Sequence, residues 1–129
     1  MAIRNLFTQT EHDAVIKTAF DDLDKVKHTV YTNPNQQKNT SVSGHFPDII
    51  ITDINDNNVK FIIEVETADS VNNAEVHQWK TYSELGGTFY LLVPLASKSL
   101  AEILCRQNNI KTRIGTYRFQ NGSYIINYE

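Results

Sequence analysis

The chain has 129 residues, 40% of them hydrophobic and 21% charged, with a formal net charge of −3. That is the make-up of one ordinary globular domain, spanning residues 1–129, and it excludes a disordered tail, a collagen-like chain and a coiled coil. No apolar run approaches the ~20 residues that span a bilayer, the first residues lack the apolar stretch of an export signal, and the lone Cys105 has no internal partner, so a cytoplasmic protein with no membrane contact is expected.

Taken in order, Leu6 to His28 has helical periodicity. Val15, Ile16, Ala19, Phe20, Leu23 and Val26 fall on one side, and Asp13, Lys17, Asp21, Asp24 and Lys25 on the other. Thr8 with Glu11, or Thr10 with Asp13, offers a cap. His28 to Thr32 is short and β-rich, and the polar stretch from Thr32 to Gly44 is a loop inside the same domain. Pro47 to Ile54 and Val59 to Glu66 are dense in Ile and Val, and the NDNN between them is turn chemistry, so they form a hairpin of central strands. A second helix is predicted from Ser70, its cap, to Leu85, ended by Gly86-Gly87. Thr88 to Val93 is a buried strand. Ser97 to Gln107 is a short helix with Leu100, Ile103 and Leu104 inward, and Ile110 to Gly115 is a strand. Tyr117 to Phe119 and Tyr124 to Tyr128 flank Asn121-Gly122, a strong hairpin signal. The strand–helix–strand unit from Val59 to Val93 requires parallel strands, and the fold class is α/β: a mixed sheet with helices on both faces.

The informative feature is where the acids sit. Asp48 opens one central strand, and Glu64 and Glu66 close the next. Carboxylates are depleted in strands and costly to bury unpaired. Side chains alternate along a strand, so Glu64 and Glu66 share a face, and hairpin geometry places the start of one strand beside the end of its partner. Asp48 joins that face only if it lies opposite an even-numbered residue, which calls for an odd-numbered turn such as Asn55 to Asn57. Three clustered carboxylates repel one another unless cations bind them, and oxygen donors suit magnesium, manganese or calcium.

A helix, Pro47-Asp48 at a strand start, Glu64-Val65-Glu66 at the end of the next strand and a helix carrying Gln78 together resemble the PD-(D/E)XK nuclease superfamily. The resemblance covers roughly Glu11 to Val93. It implies a restriction-endonuclease-like core, Mg2+ or Mn2+ as cofactor and hydrolysis of DNA phosphodiesters. It implies that Asp48 and Glu64 hold the metal with the main-chain carbonyl of Val65, that Glu11 of the first helix approaches it, and that Gln78 lines the site. One departure stands out: the usual third residue is Lys, and here it is Glu66, which could orient the attacking water or hold a second metal. Lys80 is no relocated lysine, because two residues turn a helix by about 200° away from Gln78.

Contacts to phosphate fall to Lys38, His45 and Lys80, with Lys25, Lys27 and Lys60 as further cations. Neutralising the three acids brings the net charge to zero, a weak electrostatic footprint for DNA. His12, His28 and His77 have no zinc-like spacing. Cys105 reads as a small buried hydrophobe, and Trp79, Tyr82 and Tyr90 as core or an interface rather than a base-stacking platform. A homodimer, through Tyr117, Tyr124 and Tyr128, or a targeting protein is the expected partner besides DNA. Two rivals stay open: a non-catalytic binding or assembly module of the same fold, and an unrelated α/β interaction domain.

Overall fold

The computed structural model describes residues 4–128. Helix α1 runs Leu6–Asp22, shorter than its periodicity predicted. Its cap is neither Thr8 nor Thr10 but Asn5, whose side chain accepts from the Thr8 N–H at 2.9 Å. The helix stops because Leu23 turns extended and the Asp24 carboxylate takes the Val26 N–H at 2.7 Å, an Asx turn that leaves Val26 exposed.

Six strands follow: β1 His28–Thr32, β2 Ile49–Asp53, β3 Val59–Val65, β4 Thr88–Pro94, β5 Arg113–Gln120 and β6 Ser123–Asn127. They lie side by side in chain order in one sheet. The β3–β4 and β4–β5 pairs are parallel and the other three antiparallel. Helix α2, Val76–Ser83, links β3 to β4, and helix α3, Lys98–Gln107, links β4 to β5. Both crossovers step the same way across the sheet, so right-handed connections put both helices on one face. There Ile62, Trp79, Tyr82, Phe89, Leu91, Ala101 and Leu104 form one core. Helix α1 covers the other face, where Val15, Ile16, Ala19, Ile49, Ile63, Val65 and Tyr117 form a second. The predicted α/β mixed sheet is thus observed. Among the described residues, no helix is long and apolar enough to cross a membrane.

Several boundaries differ from expectation. The predicted helix from Ser70 to Leu85 shrinks to α2, preceded by single 3-10 turns at Ala68–Ser70 and Asn73–Glu75. The polar run before it offers its backbone competing side-chain bonds: Asn72 caps the Ala74 N–H, and the Ser70 hydroxyl donates to Glu66 and accepts from the Thr67 N–H instead of capping α2. In α3, Ala101, Leu104 and Cys105 face the sheet, while Leu100 and Ile103 are 47% and 42% exposed. Residues 113–120 form one continuous strand rather than two, because Gly115 marks a close approach and not a break. A Cβ there would stand 2.7 Å from Leu92 and 2.9 Å from the Asn127 carbonyl. The Asn121-Gly122 turn has positive φ at both residues, as a two-residue hairpin requires.

The register of β2 on β3 decides the face of Asp48. Near the turn Thr52 pairs with Val59; beyond it Ile51 pairs with Phe61 and Ile49 with Ile63. Lys60 is the extra residue of a β-bulge, and it puts Val59 on the α2 side and Phe61 on the α1 side. The ladder, continued one step past Ile49–Ile63, sets Asp48 opposite Glu64. The required parity therefore comes from the bulge and not from an odd-numbered turn.

Deleting Lys60 should close the bulge while leaving both halves of the ladder paired as they are. We expect a loss within about 2 kcal/mol and a Val65 amide that stays protected from hydrogen exchange. An unprotected Val65 amide would mean that the bulge itself holds the site in register.

Candidate active site

Asp48 and Glu64 meet at the end of the β2–β3 ladder and trade bonds with each other's backbone. The Asp48 N–H donates to Glu64 Oε1 and the Val65 N–H donates to Asp48 Oδ2, both at 2.8 Å. Each carboxylate thus completes a backbone bond where the strands run out. The approach to Asp48 is held by Asn33, whose amide nitrogen donates to the carbonyls of Thr40 and Pro47 and whose amide oxygen accepts from the N–H groups of Asn39 and Thr40. One buried side chain ties the two ends of the polar loop together.

Glu66 lies one pleat beyond Glu64 on the same face and is 1% exposed. Its Oε1 accepts from the Ser70 hydroxyl at 2.6 Å and from Arg4 Nη2 at 3.0 Å, and its Oε2 accepts from the Trp79 indole at 2.6 Å. The same Arg4 nitrogen lies 3.3 Å from the Val65 carbonyl oxygen. The one main-chain ligand that the resemblance implied therefore already accepts a hydrogen bond.

A second basic group arrives from α1. His12 Nε2 stands 2.9 Å from Asp48 Oδ2, and its Nδ1 stands 3.1 Å from Asp13 Oδ1. Burial works against charging this imidazole, but the Asp48 charge and hydrogen bond outweigh it, so its pKa is raised. Burial, and then the charges of Asp48 and Glu66, push Glu64 well above the usual carboxyl range. Burial likewise lifts Glu66 to about 7, against the pull of its Ser70 and Trp79 donors.

The cleft over these acids is lined by Asp48, Glu64, Glu66 and Glu75, by the bases Arg4 and His12, and by Asn33, Gln37, Phe46, Gln78 and Tyr82. It is small, with room for about one water. Gln78 lines it as expected and donates to the Tyr82 hydroxyl at 3.2 Å. Among the described residues no group of three or more His, Cys, Asp or Glu side chains stands in metal-ligating geometry.

Other expected residues fall elsewhere. Glu11 is not in the cleft: its Oε2 accepts from the Tyr117 hydroxyl at 2.6 Å, and that hydroxyl also lies 2.8 Å from the Glu66 carbonyl oxygen. His45 packs edge-on against Tyr82 at 5.9 Å, and Lys38 lies 5.7 Å from the Phe46 ring centre, so both stand at the rim. Lys80 is drawn to the Asn109 carbonyl at 2.9 Å, away from the acids. Lys60 sits in the bulge near the opposite end of β3. Of the three tyrosines expected at a dimer surface, Tyr124 and Tyr128 are half-buried. Tyr117 is buried with Tyr124 packed on it, and the Tyr128 hydroxyl donates to Asp22 of α1.

The sequence reading missed Arg4, His12 and Glu75. Periodicity carried a signal for one of them: His12 lies at helical spacing from Val15, Ile16 and Ala19 on the buried side of α1. Comparison with known proteins returns no match to a family model, a curated protein or a solved structure.

A carboxyl whose pKa rises from 4.5 to about 7 on folding stabilises the fold while protonated, and that stabilisation is lost as pH climbs through 7. Arg4 offsets the loss by pairing with the ionised form. Arg4→Met should therefore destabilise the protein by about 3 kcal/mol at pH 8 and by clearly less at pH 5, read from denaturant unfolding. An equal loss at both pH values would mean that Arg4 acts through packing alone.

Proposed function

We propose that the chain is a divalent-cation-dependent phosphodiesterase that cleaves DNA. One observation carries the reading: two acids, 16 residues apart in sequence, are brought opposite each other at the end of a central strand pair and clustered with a third and a fourth. A structural role alone would not call for four carboxyl groups around one small cleft, where burial, and then the charges of Asp48 and Glu66, raise the pKa of Glu64.

The donors fit the proposed ion. Asp48 and Glu64 offer hard oxygens, which suit Mg2+ or Mn2+ over softer metals. Such an ion, when bound, polarises a phosphoryl oxygen and lowers the pKa of an attending water. Asp48 and Glu64 would hold it, each anchored by the backbone bond it accepts. Arg4 supplies positive charge beside Glu66, where the resemblance expects a lysine. A guanidinium stays protonated at neutral pH, so Arg4 serves as a counter-charge and not as a proton acceptor. Gln78 would offer an amide to phosphate or water, and Lys38 and His45 at the rim would meet the DNA backbone.

A second reading, a non-catalytic binding module of the same fold, is favoured by one specific fact. Both oxygens of Glu66 and the Val65 carbonyl are engaged in internal bonds. The two readings separate in one pair of measurements. Wild type should bind Mn2+ in calorimetry and nick supercoiled plasmid when Mn2+ is present. Asp48→Asn and Glu64→Gln should each lower nicking at least 100-fold with the circular-dichroism spectrum unchanged. Binding of Mn2+ with no nicking at any pH from 6 to 9 would select the non-catalytic module, and absence of Mn2+ binding would overturn the proposed phosphodiesterase.

A further inference from the structure

Glu75 stands apart from the other acids of the cleft. It belongs to the 3-10 turn Asn73–Glu75 that leads into α2, it is 6% exposed, and it lines the same cleft as Asp48 and Glu64. Among the described residues its Oε1 is buried with no hydrogen-bond partner. An unpartnered buried carboxyl oxygen is costly, and such atoms in a folded protein call for an occupant that the polypeptide itself does not provide.

We propose that Glu75 is a cation ligand, the third carboxylate of the site after Asp48 and Glu64, and that it takes the place in the ligand set which Glu66 cannot fill. The inference rests on the proposed cation at Asp48 and Glu64 and adds a residue to it. Energetics separate the two candidates for third ligand. Glu66 would have to give up bonds from Ser70, Arg4 and Trp79, each 2.6 to 3.0 Å long, before it could turn to an ion. Glu75 Oε1 gives up none. The cleft also presents its charge in a suitable way: with Arg4 committed to Glu66 and His12 to Asp48, Glu64 and Glu75 are its acids not paired with a base among the described residues. A hard divalent ion matches that surplus. Position supports the assignment too. Glu75 precedes Gln78 and Trp79, so the segment that brings Glu75 to the cleft is anchored four residues later by the Trp79 indole on Glu66.

The test is calorimetry with Mn2+ alone on the full chain, comparing wild type with Glu75→Gln, Glu75→Asp and, as an exposed control, Glu84→Gln. Glu75→Gln keeps the shape and removes the charge. It should weaken Mn2+ binding at least tenfold while leaving the unfolding midpoint in EDTA unchanged or higher. Glu75→Asp restores the charge and should recover part of the affinity, and Glu84→Gln should bind like wild type. If wild type binds Mn2+, Asp48→Asn does not, and Glu75→Gln binds within twofold of wild type, the assignment of Glu75 is overturned while the cation site stands. If wild type itself binds no Mn2+, both fall. A midpoint lowered equally by Glu75→Gln and Glu75→Asp, with Mn2+ affinity unaltered, would make Glu75 a structural residue and overturn the proposal as well.

Discussion

The exchange of backbone bonds between Asp48 and Glu64 is the constraint on which the rest of the structure depends. At the end of an antiparallel pair, the next N–H groups have no strand carbonyl to meet. Here each is met by the acid of the neighbouring strand, at 2.8 Å in both directions. The two carboxylates are thus part of the ladder, and neither can turn aside without leaving a buried N–H unpaired. A pair held in this way is preorganised: its geometry is set by the sheet and not by flexible side chains. The bulge at Lys60 belongs to the same constraint, since a ladder kept in the register of its turn would send Asp48 to the α1 face.

Holding acids so rigidly in a buried place creates a charge problem, and α1 together with its lead-in resolves much of it. This helix covers the face opposite α2 and α3, yet Arg4 from just before its start and His12 from its second turn both reach the acids at the strand ends. The Asn5 cap fixes where the helix begins, and so fixes the spacing between the two bases. Asp13 then holds the far side of the His12 ring and also takes the Asn35 N–H of the polar loop, which joins helix, histidine and loop in one network. Tyr117 extends that order into β5 by binding Glu11 behind the site. The helix is therefore a scaffold for charges as much as a lid on the second core.

How much of this was legible in the sequence follows from the range of each interaction. Alternation along a strand is local, so the shared face of Glu64 and Glu66 could be read from residue numbers alone, and so could the Asn121-Gly122 hairpin. Asp48 needed one more piece of information, the parity of a turn, and the sequence does not announce a bulge at a lysine. The Arg4 and His12 contacts span 62 and 36 residues and depend on how α1 lies across the sheet, which no periodicity specifies. Glu11 was misplaced for the same reason. It follows Thr10 and precedes His12, and the rotation of the helix that sends His12 to the acids sends Glu11 to Tyr117. In α3 the pattern was ambiguous: Leu100, Ile103 and Leu104 share helical spacing as convincingly as Ala101, Leu104 and Cys105, and the sheet selects the stripe with smaller side chains. The acid cluster was legible, then, because strands bring their own residues together; its counter-charges were not, because they come from elsewhere.

The presence of Glu at position 66 has a physical account in these contacts. A lysine there would face Ser70, Trp79 and Arg4 as one more donor among donors: the indole N–H has no acceptor capacity, and the guanidinium would stand against a like charge. A carboxylate satisfies all three at once. The positive charge beside these acids comes from the chain entering α1, and residue 66 serves as its anchor. Burial and ionisation of Glu66 are then tied to Arg4. The guanidinium is held in place by an acid that ionises near neutral pH, so the counter-charge beside the cleft is most firmly fixed at and above the pH where Glu66 is an anion. An Arg–Glu pair of this kind is a weak source of stability but a strong source of position. Position is what the cleft requires, since its acids are already set by the sheet and the remaining freedom lies in the segments that approach them from the helices.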